Sequence, residues 1–146
     1  MIIHLLDANL LIALAWPQHV HHAQAHAWFQ KDGQRAWATC PLTQVAFVRI
    51  SSNPKIIPDA VSPRDALAVL EKITALSGHH FWADAINAVD AASFASLSLV
   101  GHRQVTDTYL LALAQHNKGR LATFDGGVPE LIKNPKERLK HVLVIE

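Results

Sequence analysis

Residues 1–17 read MIIHLLDANLLIALAWP, and this stretch decides the fold class of the chain. Five of the six residues before Asp7 are apolar, and the apolar run resumes two residues after it. An unpaired buried carboxylate is costly, so Asp7 must either cap an element or bind something cationic. Residues 2–6 are typical of a short buried strand, and residues 9–16 of a helix that a proline ends. A buried strand that leads straight into a helix favours an α/β fold.

The rest of the chain continues this alternation of short apolar strands and helices. Ser62 and Thr106 are expected to cap the helices that follow them. No repeat or linker divides the sequence, so residues 1–146 are expected to form one domain. We predict an α/β fold with a mainly parallel central sheet of about four or five strands and helices on both faces. Further strands are predicted at 35–39, 79–83, 120–124 and 141–145, and helices at 19–31, 42–52, 63–76, 86–96, 106–118 and 128–133.

The composition predicts a compact protein from a reducing compartment. Half of the 146 residues are hydrophobic and 17% are charged, which suits a folded core and not a disordered chain. A single cysteine, Cys40, excludes an intramolecular disulfide and favours the cytoplasm. No apolar run reaches the roughly 18 residues that span a bilayer, and no basic region precedes the first one as in a signal peptide. The formal net charge of +1 permits an anionic partner without requiring one.

Three acidic residues lie at the ends of predicted strands and helices, where a cleft is expected. Asp7 follows the first strand, Asp125 directly follows the strand at 120–124, and Asp107 lies in the first turn of the helix at 106–118. In parallel α/β sheets, ligands bind beyond the carboxyl ends of the strands. Carboxylates that converge there repel one another, and Mg²⁺ or Mn²⁺ would remove that repulsion. Each acid alone is also explained as a helix cap or a dipole partner, and spacing does not show that the three meet.

Four motifs occur in a specific order: LDANLLIAL near the start, ATCPLTQVAFVRISSNP in the middle, then GHRQVTDTYLLALA and GRLATFDGG. Together they resemble the PIN-domain ribonucleases, and most of all the VapC-type toxins of bacterial toxin–antitoxin modules, from Ile3 to about Gly127. The resemblance implies a PIN-like nuclease domain that cleaves RNA with Mg²⁺, or with Mn²⁺ in its place. It also implies a cytoplasmic homodimer with no membrane association. A small antitoxin protein would silence it, in some cases within a larger toxin–antitoxin assembly.

The resemblance also assigns roles to individual residues. Asp7, Asp107 and Asp125 match the metal-binding acids of the family and would form its catalytic site. Asn9 and Thr123 match the polar residues beside them and would orient the acids or a water. A metal held by such acids activates water for in-line attack on a phosphodiester. The expected reaction is hydrolysis of RNA phosphodiester bonds.

Gln44 departs from the family pattern. Many PIN nucleases carry a glutamate on the helix after the second strand, and Gln44 occupies the matching position here. A neutral amide cannot replace a carboxylate charge, although it can hold a metal-bound water or a substrate hydroxyl. Asp84 is a possible source of the missing charge, but an ordinary loop acid is the simpler explanation. Arg49, in a mostly apolar helix, is a candidate contact for a phosphate or for the cleft acids. The number of metal ions stays open.

Two other functions remain open from the sequence. Gln44 leaves room for a non-catalytic PIN domain that binds RNA or protein. A haloacid-dehalogenase-like phosphatase would use Asp7 as its nucleophile, but Asn9 stands where that motif has a second acid, and no convincing lysine motif follows.

Histidines and lysines supply two weaker patterns. His19, His22 and His26 are spaced as zinc ligands on one helix face can be, yet no acid or cysteine completes the set, so we expect an ordinary surface helix. A basic stretch near the C-terminus could contact RNA phosphates, and a solvated face explains it equally well. It consists of Lys133, Lys136, Arg138 and Lys140.

Overall fold

The structure, a computed structural model, describes residues 1–90, 97–98 and 101–146. Its centre is a parallel sheet whose strands are β1 (His4–Leu6), β2 (Trp37–Thr39), β3 (His79–Phe81), β4 (Arg120–Thr123) and β5 (Val142–Val144). The strand order is β3-β2-β1-β4-β5, and every neighbouring pair is parallel. The predicted α/β class and parallel sheet are therefore confirmed.

Helices cover both faces of this sheet. Leu5 and Leu121 point into one hydrophobic cluster, and their neighbours Leu6 and Ala122 point into another, as the alternation of side chains along a strand requires. The first cluster packs against the helix α5, and the second against α1 to α4. The helices are α1 (Ala8–Ala15), α2 (His22–Lys31), α3 (Pro41–Ser51), α4 (Pro63–Thr74), α5 (Val105–His116) and α6 (Arg138–His141). Across the described part of the chain, every helix is too short or too polar to cross a bilayer.

The helix predicted at 86–96 is wrong in its first half. Residues 86–90 form an extended segment and a turn, and residues 91–96 lie outside the described part of the chain. The Asn87 side chain explains the difference. Its Oδ1 accepts from the Val89 N–H at 3.2 Å, and its amide donates to Asp90 Oδ2 at 2.8 Å. Such local bonds give the backbone an alternative to the helix.

The two predicted helix caps have different outcomes. Ser62 caps α4, because its hydroxyl accepts from the Asp65 N–H at 3.1 Å. Thr106 is not a cap, because α5 begins at Val105 and Gln104 holds the capping position. A 3₁₀ turn at His102–Gln104 runs directly into α5 and moves its start toward the N-terminus.

At the amino end of the sheet, His4 is mostly buried beside Arg120. Its ring meets Trp28 edge-on, with the ring centroids 5.4 Å apart. Its Nε2 is buried without a hydrogen-bond partner among the described residues. Burial, followed by the positive charge of Arg120, lowers the pKa of His4 to about 4, while Asp32 acts in the opposite direction. Folding therefore holds His4 in its neutral form.

This burial predicts a loss of stability in mild acid. The pKa of His4 is about 4 in the folded protein and about 6.5 in an unfolded chain. The unfolded chain therefore binds more protons between these values, so the His4 contribution is complete above about pH 6.5 and declines as the pH falls toward 4. His4→Gln cannot take up this proton. Urea unfolding at about pH 7.5 and about pH 5 should show that the wild type loses roughly 2 kcal/mol more than His4→Gln. Equal losses in the two proteins would contradict the assignment.

Candidate active site

Strands β1 and β4 bring Asp7 and Thr123 to the same edge of the sheet. Leu6 is aligned with Ala122, and the Asp7 N–H extends the ladder by donating to the Ala122 carbonyl at 3.0 Å. The Thr123 hydroxyl donates to Asp7 Oδ2 at 2.8 Å. Asp7 is 8% exposed and Thr123 is fully buried. The apolar residues on both sides of Asp7 therefore place its carboxylate in a nearly closed site at the carboxyl ends of the strands.

The Asp7 carboxylate is not used as a helix cap. The Asp7 backbone holds the capping position of α1, but its side chain makes no capping hydrogen bond. The Ala8 and Asn9 N–H groups lie near enough to lower its pKa without forming full hydrogen bonds. The net shift in the pKa of Asp7 is nevertheless upward, because burial outweighs these amides and the Thr123 bond, and the charge of Asp125 raises it further. The sequence left open that Asp7 is a helix cap. Its backbone does hold the capping position of α1, but its side chain does not act as the cap.

Thr123 connects the polar groups around Asp7. Its hydroxyl oxygen accepts from Asn9 Nδ2 at 3.3 Å and from the Asp125 N–H at 3.1 Å, while its hydrogen goes to Asp7. This uses the one donor and both acceptor positions of the hydroxyl. Asn9 Oδ1 is buried with no partner in the described chain. Asp125 is exposed, and its Oδ1 accepts from the Gly127 N–H at 2.9 Å.

The third acid, Asp107, approaches from the opposite face of the sheet on the first turn of α5. It is partly buried, and no hydrogen bond or ion pair engages its side chain among the residues that the structure describes. Burial raises the pKa of Asp107 to about 6, and the charges of Asp7 and Asp125 add to the effect. The fold thus brings the three predicted acids close enough to repel one another.

The site is rich in oxygen acceptors and has no cationic partner. Within the described chain, the salt bridges join Glu137 to Lys140 and His141, and none reaches the three acids. Over residues 1–90, 97–98 and 101–146, no three His, Cys, Asp or Glu side chains form a group that could hold a metal ion by themselves. The donor set therefore does not make a closed cage. It fits a hard cation such as Mg²⁺, which takes one or two carboxylates and keeps several of its waters.

The Gln44 side chain bonds Thr39 and none of the three acids in the described part of the chain. Its Nε2 donates to Thr39 Oγ1 at 2.9 Å, and the same hydroxyl bonds His79 Nε2 at 2.7 Å. Arg49 is exposed in a groove between α3 and α4 and has no ion pair in the described part of the molecule. The orienting and phosphate-binding roles of Gln44 and Arg49 remain predictions.

Asp84 is not part of the group of coupled acids. Its Oδ1 accepts from the Tyr109 hydroxyl at 2.9 Å, and this contact helps to raise the pKa of Tyr109, after burial. Its charge does not contribute to the raised pKa of Asp107. Asp84 therefore behaves as the loop acid that the simpler explanation expected.

Sequence reasoning missed one residue at the edge of the site. The His21 ring stacks on Phe124, with centroids 4.8 Å apart, and Phe124 lies between Thr123 and Asp125. This contact depends on how the connection between α1 and α2 folds back over the end of β4. No spacing in the sequence signals it.

Comparison with known proteins agrees with this architecture. A family model described as the PIN domain matches residues 4–133. Ribonuclease VapC38 of Mycobacterium tuberculosis is 50% identical to this chain over 124 residues, which are 85% of this chain and 86% of the relative. Ribonuclease VapC39 of the same species is 44% identical over 126 residues, which are 86% of this chain and 91% of the relative.

A solved structure shows the same fold at low sequence identity. The crystal structure of VapBC2 from Rickettsia felis, bound to a DNA fragment from its promoter, contains a chain that matches with a TM-score of 0.59. The two sequences are 12% identical, and the match covers 99% of each chain.

The repulsion among the three acids predicts that neutralising one of them stabilises the metal-free protein. In EDTA at about pH 7.5, the melting temperature of Asp107→Asn should exceed that of the wild type by about 2–4 °C. This is the shift that a gain of about 1 kcal/mol in the free energy of unfolding gives in a domain of this size. Asp65→Asn is the matched control, because Asp65 holds the same position in the first turn of α4 and is exposed. It should show no gain, since it loses only a favourable interaction with the helix dipole. A melting temperature of Asp107→Asn at or below that of the wild type would contradict the repulsion.

Proposed function

This chain belongs to the PIN-domain family and, within it, to the VapC-type ribonucleases, and from that membership we propose that it is a metal-dependent endoribonuclease, the toxin of a toxin–antitoxin module. Its substrate is RNA, and its reaction is hydrolysis of phosphodiester bonds. The single observation that carries the proposal is the buried Asp7 carboxylate, fixed by Thr123 and electrostatically coupled to Asp107 and Asp125.

The arrangement of acceptors supports a divalent metal ion as cofactor. Asp7 and Asp107 would hold Mg²⁺, with Mn²⁺ able to replace it, and Asp125 would contribute through the oxygen that its turn leaves free. The unpaired Asn9 Oδ1 adds a further oxygen that lacks a donor. When bound, the ion supplies an activated water and neutralises charge on the phosphodiester. Mutual repulsion of the acids favours its binding, because the ion removes a cost that the metal-free site carries.

The residues of the chain prepare the site for this chemistry. Thr123 fixes the orientation of the Asp7 carboxylate by donating to its Oδ2. Because the carboxylate is rigid, the same bond also fixes the direction of Oδ1. The Asn9 amide donates to the Thr123 hydroxyl and holds it in place. The Asp125 N–H donates to the same hydroxyl, which fixes the backbone at Asp125. Preorganised groups of this kind do not have to reorganise during the reaction.

The same family membership also supports proposals about the binding partners of this chain. We expect a small antitoxin protein to bind and silence this chain, and we expect a homodimer in the cytoplasm, within a larger toxin–antitoxin assembly. The relative from Rickettsia felis was solved as VapBC2 with promoter DNA, but its 12% identity supports the fold alone.

The decisive test of the proposal is Asp7→Asn. This substitution keeps the shape of the side chain and removes its charge, so RNA cleavage with Mg²⁺ should fall by at least roughly a hundredfold, as it does when one preorganised electrostatic contact is lost. Cleavage of a mixed RNA substrate, followed on a gel with Mg²⁺ and with EDTA, measures the effect. Asp65→Asn should cleave like the wild type, because Asp65 is an exposed helix acid whose charge is not among the causes of the raised pKa values of Asp7 and Asp107. Full Mg²⁺-dependent cleavage by Asp7→Asn would exclude the assignment.

The same experiment addresses a second candidate function. Gln44 bonds Thr39 instead of the acids, which keeps a non-catalytic RNA-binding PIN domain as an alternative. Tight RNA binding that ignores Mg²⁺, without cleavage by the wild type, would favour that alternative. The phosphatase alternative is not proposed further, because the chain belongs to the PIN-domain family.

Thr123→Val tests the positioning role of the hydroxyl. Valine has nearly the same shape but cannot donate to Asp7 or accept from Asn9, so we expect a 10–100-fold loss of activity, the usual effect of removing a group that orients a metal ligand. Raising the Mg²⁺ concentration should recover part of the loss, because a poorly oriented ligand mainly weakens metal binding. Thr123→Ser, which keeps the hydroxyl, should restore most of the activity. If Thr123→Ser were as inactive as Thr123→Val, the methyl group and not the hydroxyl would be the important feature.

A further inference from the structure

Four histidines gather where the chain passes from α1 into α2, on the side of the sheet that carries α1 to α4. They are His19, His21, His22 and His26. Their contacts differ, and these contacts decide which imidazole nitrogens are available to a metal ion. The sequence grouped His19 with His22 and His26 on one helix face, but α2 begins only at His22, so that grouping is wrong for His19.

His22 is oriented in the way that protein metal ligands usually are. Its Nδ1 lies 2.7 Å from the Ala13 carbonyl oxygen, which can only accept, so Nδ1 carries the proton. In the neutral imidazole, Nε2 is then left with its lone pair. Metal-binding histidines commonly donate their other N–H to a backbone carbonyl, which fixes both the tautomer and the direction of the ring. His22 already has this arrangement without any ion.

His26 stands one helical turn after His22 and faces it. The two ring centroids are 4.6 Å apart, and the ring planes are inclined by 51°. An ion about 2.1 Å from one nitrogen of each ring would place the centroids roughly 4.6 Å apart at an octahedral angle and roughly 5.3 Å apart at the tetrahedral angle of Zn²⁺. His26 is exposed, so its ring can turn toward such an ion at little cost.

The other two histidines do not belong to this pair. His19 Nδ1 accepts from the His21 backbone N–H at 3.0 Å, which places the proton of the neutral ring on Nε2 and occupies the remaining lone pair. The Nδ1 of His21 bonds the Gln24 side-chain oxygen at 3.0 Å, and its ring is stacked on Phe124, with no ring contact to His22 or His26 among the described residues. The pair therefore has two protein ligands, which agrees with the absence of any three-residue metal group in the described ranges.

We propose that His22 and His26 form a second metal site, separate from the acidic site, that binds a borderline transition-metal ion such as Zn²⁺ or Ni²⁺. Two neutral imidazoles suit these ions and do not suit Mg²⁺, which prefers oxygen. With two protein ligands, the other coordination positions are open to water or to an external ligand. An ion held between residues one turn apart would also stabilise the first turns of α2, because it binds the folded helix and not the unfolded chain.

Titration calorimetry with Zn²⁺ tests the proposal on the untagged full chain. Millimolar Mg²⁺ is kept in all solutions so that Zn²⁺ binding at the acidic site is suppressed. The wild type should bind one Zn²⁺ ion, and His26→Gln should bind it at least roughly tenfold more weakly, because a single imidazole loses the advantage of two linked ligands. His116→Gln is the matched control, because His116 is an exposed helical histidine at the end of α5. It should bind Zn²⁺ like the wild type.

His22→Gln provides a second variant, and its fold is checked because the bond to Ala13 is lost. His26 makes no such bond, so His26→Gln decides the question even if His22→Gln is destabilised. Zn²⁺ should raise the melting temperature of the wild type and of His116→Gln, and should raise that of His26→Gln clearly less at the same Zn²⁺ concentration. Unchanged Zn²⁺ affinity in His26→Gln, or no binding by the wild type, would overturn the proposal. Zn²⁺ binding that disappears in Asp7→Asn but persists in His26→Gln would assign the ion to the acidic site instead.

Discussion

The hydrogen bond from the Thr123 hydroxyl to the Asp7 carboxylate is the interaction on which the candidate site depends. It joins the ends of β1 and β4, two strands that are far apart in sequence and adjacent in the sheet. Asp7 is almost completely buried, so its carboxylate needs this donor to offset part of the lost hydration. Because the same hydroxyl also accepts from the Asn9 amide and the Asp125 N–H, one side chain positions two other side chains and one stretch of backbone. Parallel pairing of β1 with β4 is what makes this possible, since it brings the carboxyl ends of both strands to one edge.

The remaining electrostatics of the site are unfavourable for a protein without a bound cation. Burial raises the pKa values of Asp7 and Asp107, and mutual repulsion raises them further. Asp65 at the start of α4 carries a first-turn charge without this cost, because its carboxylate is exposed to solvent and gains from the helix dipole. Asp107 occupies the same helical position, but it is partly buried and lies near two other acids. Retaining a destabilising charge at a cleft is typical of a functional site, where stability is given up for binding.

The sequence predicts the sheet well, for physical reasons that are local, and the three acids that it singles out interact in the structure. Apolar runs of three to five residues between helices define the strands, and the rule that ligands bind at strand ends selects Asp7 and Asp125 from the acids of the chain. Features that depend on a single side-chain contact or turn are predicted poorly. The Asn87 side chain replaces a helix by a turn, the 3₁₀ turn before α5 displaces Thr106 from the cap, and the His21 ring reaches Phe124 only because a loop folds back. None of these contacts has a periodicity that the sequence could display.

Gln44 bears on how many ions the acidic site would hold under the proposed function. With an amide in place of the usual glutamate, three carboxylates remain, because Asp84 is engaged with Tyr109 and is not among the causes of the raised pKa of Asp107. One divalent cation would leave this set with a single net negative charge, whereas two would reverse its sign before the substrate brings its own phosphate charge. Asp125 also commits one carboxylate oxygen to the Gly127 N–H, which reduces the oxygens available for a second ion. Excess positive charge would hold the anionic product in the site and slow its release. The charge balance therefore favours a single ion, whose remaining ligands would be water and the phosphodiester.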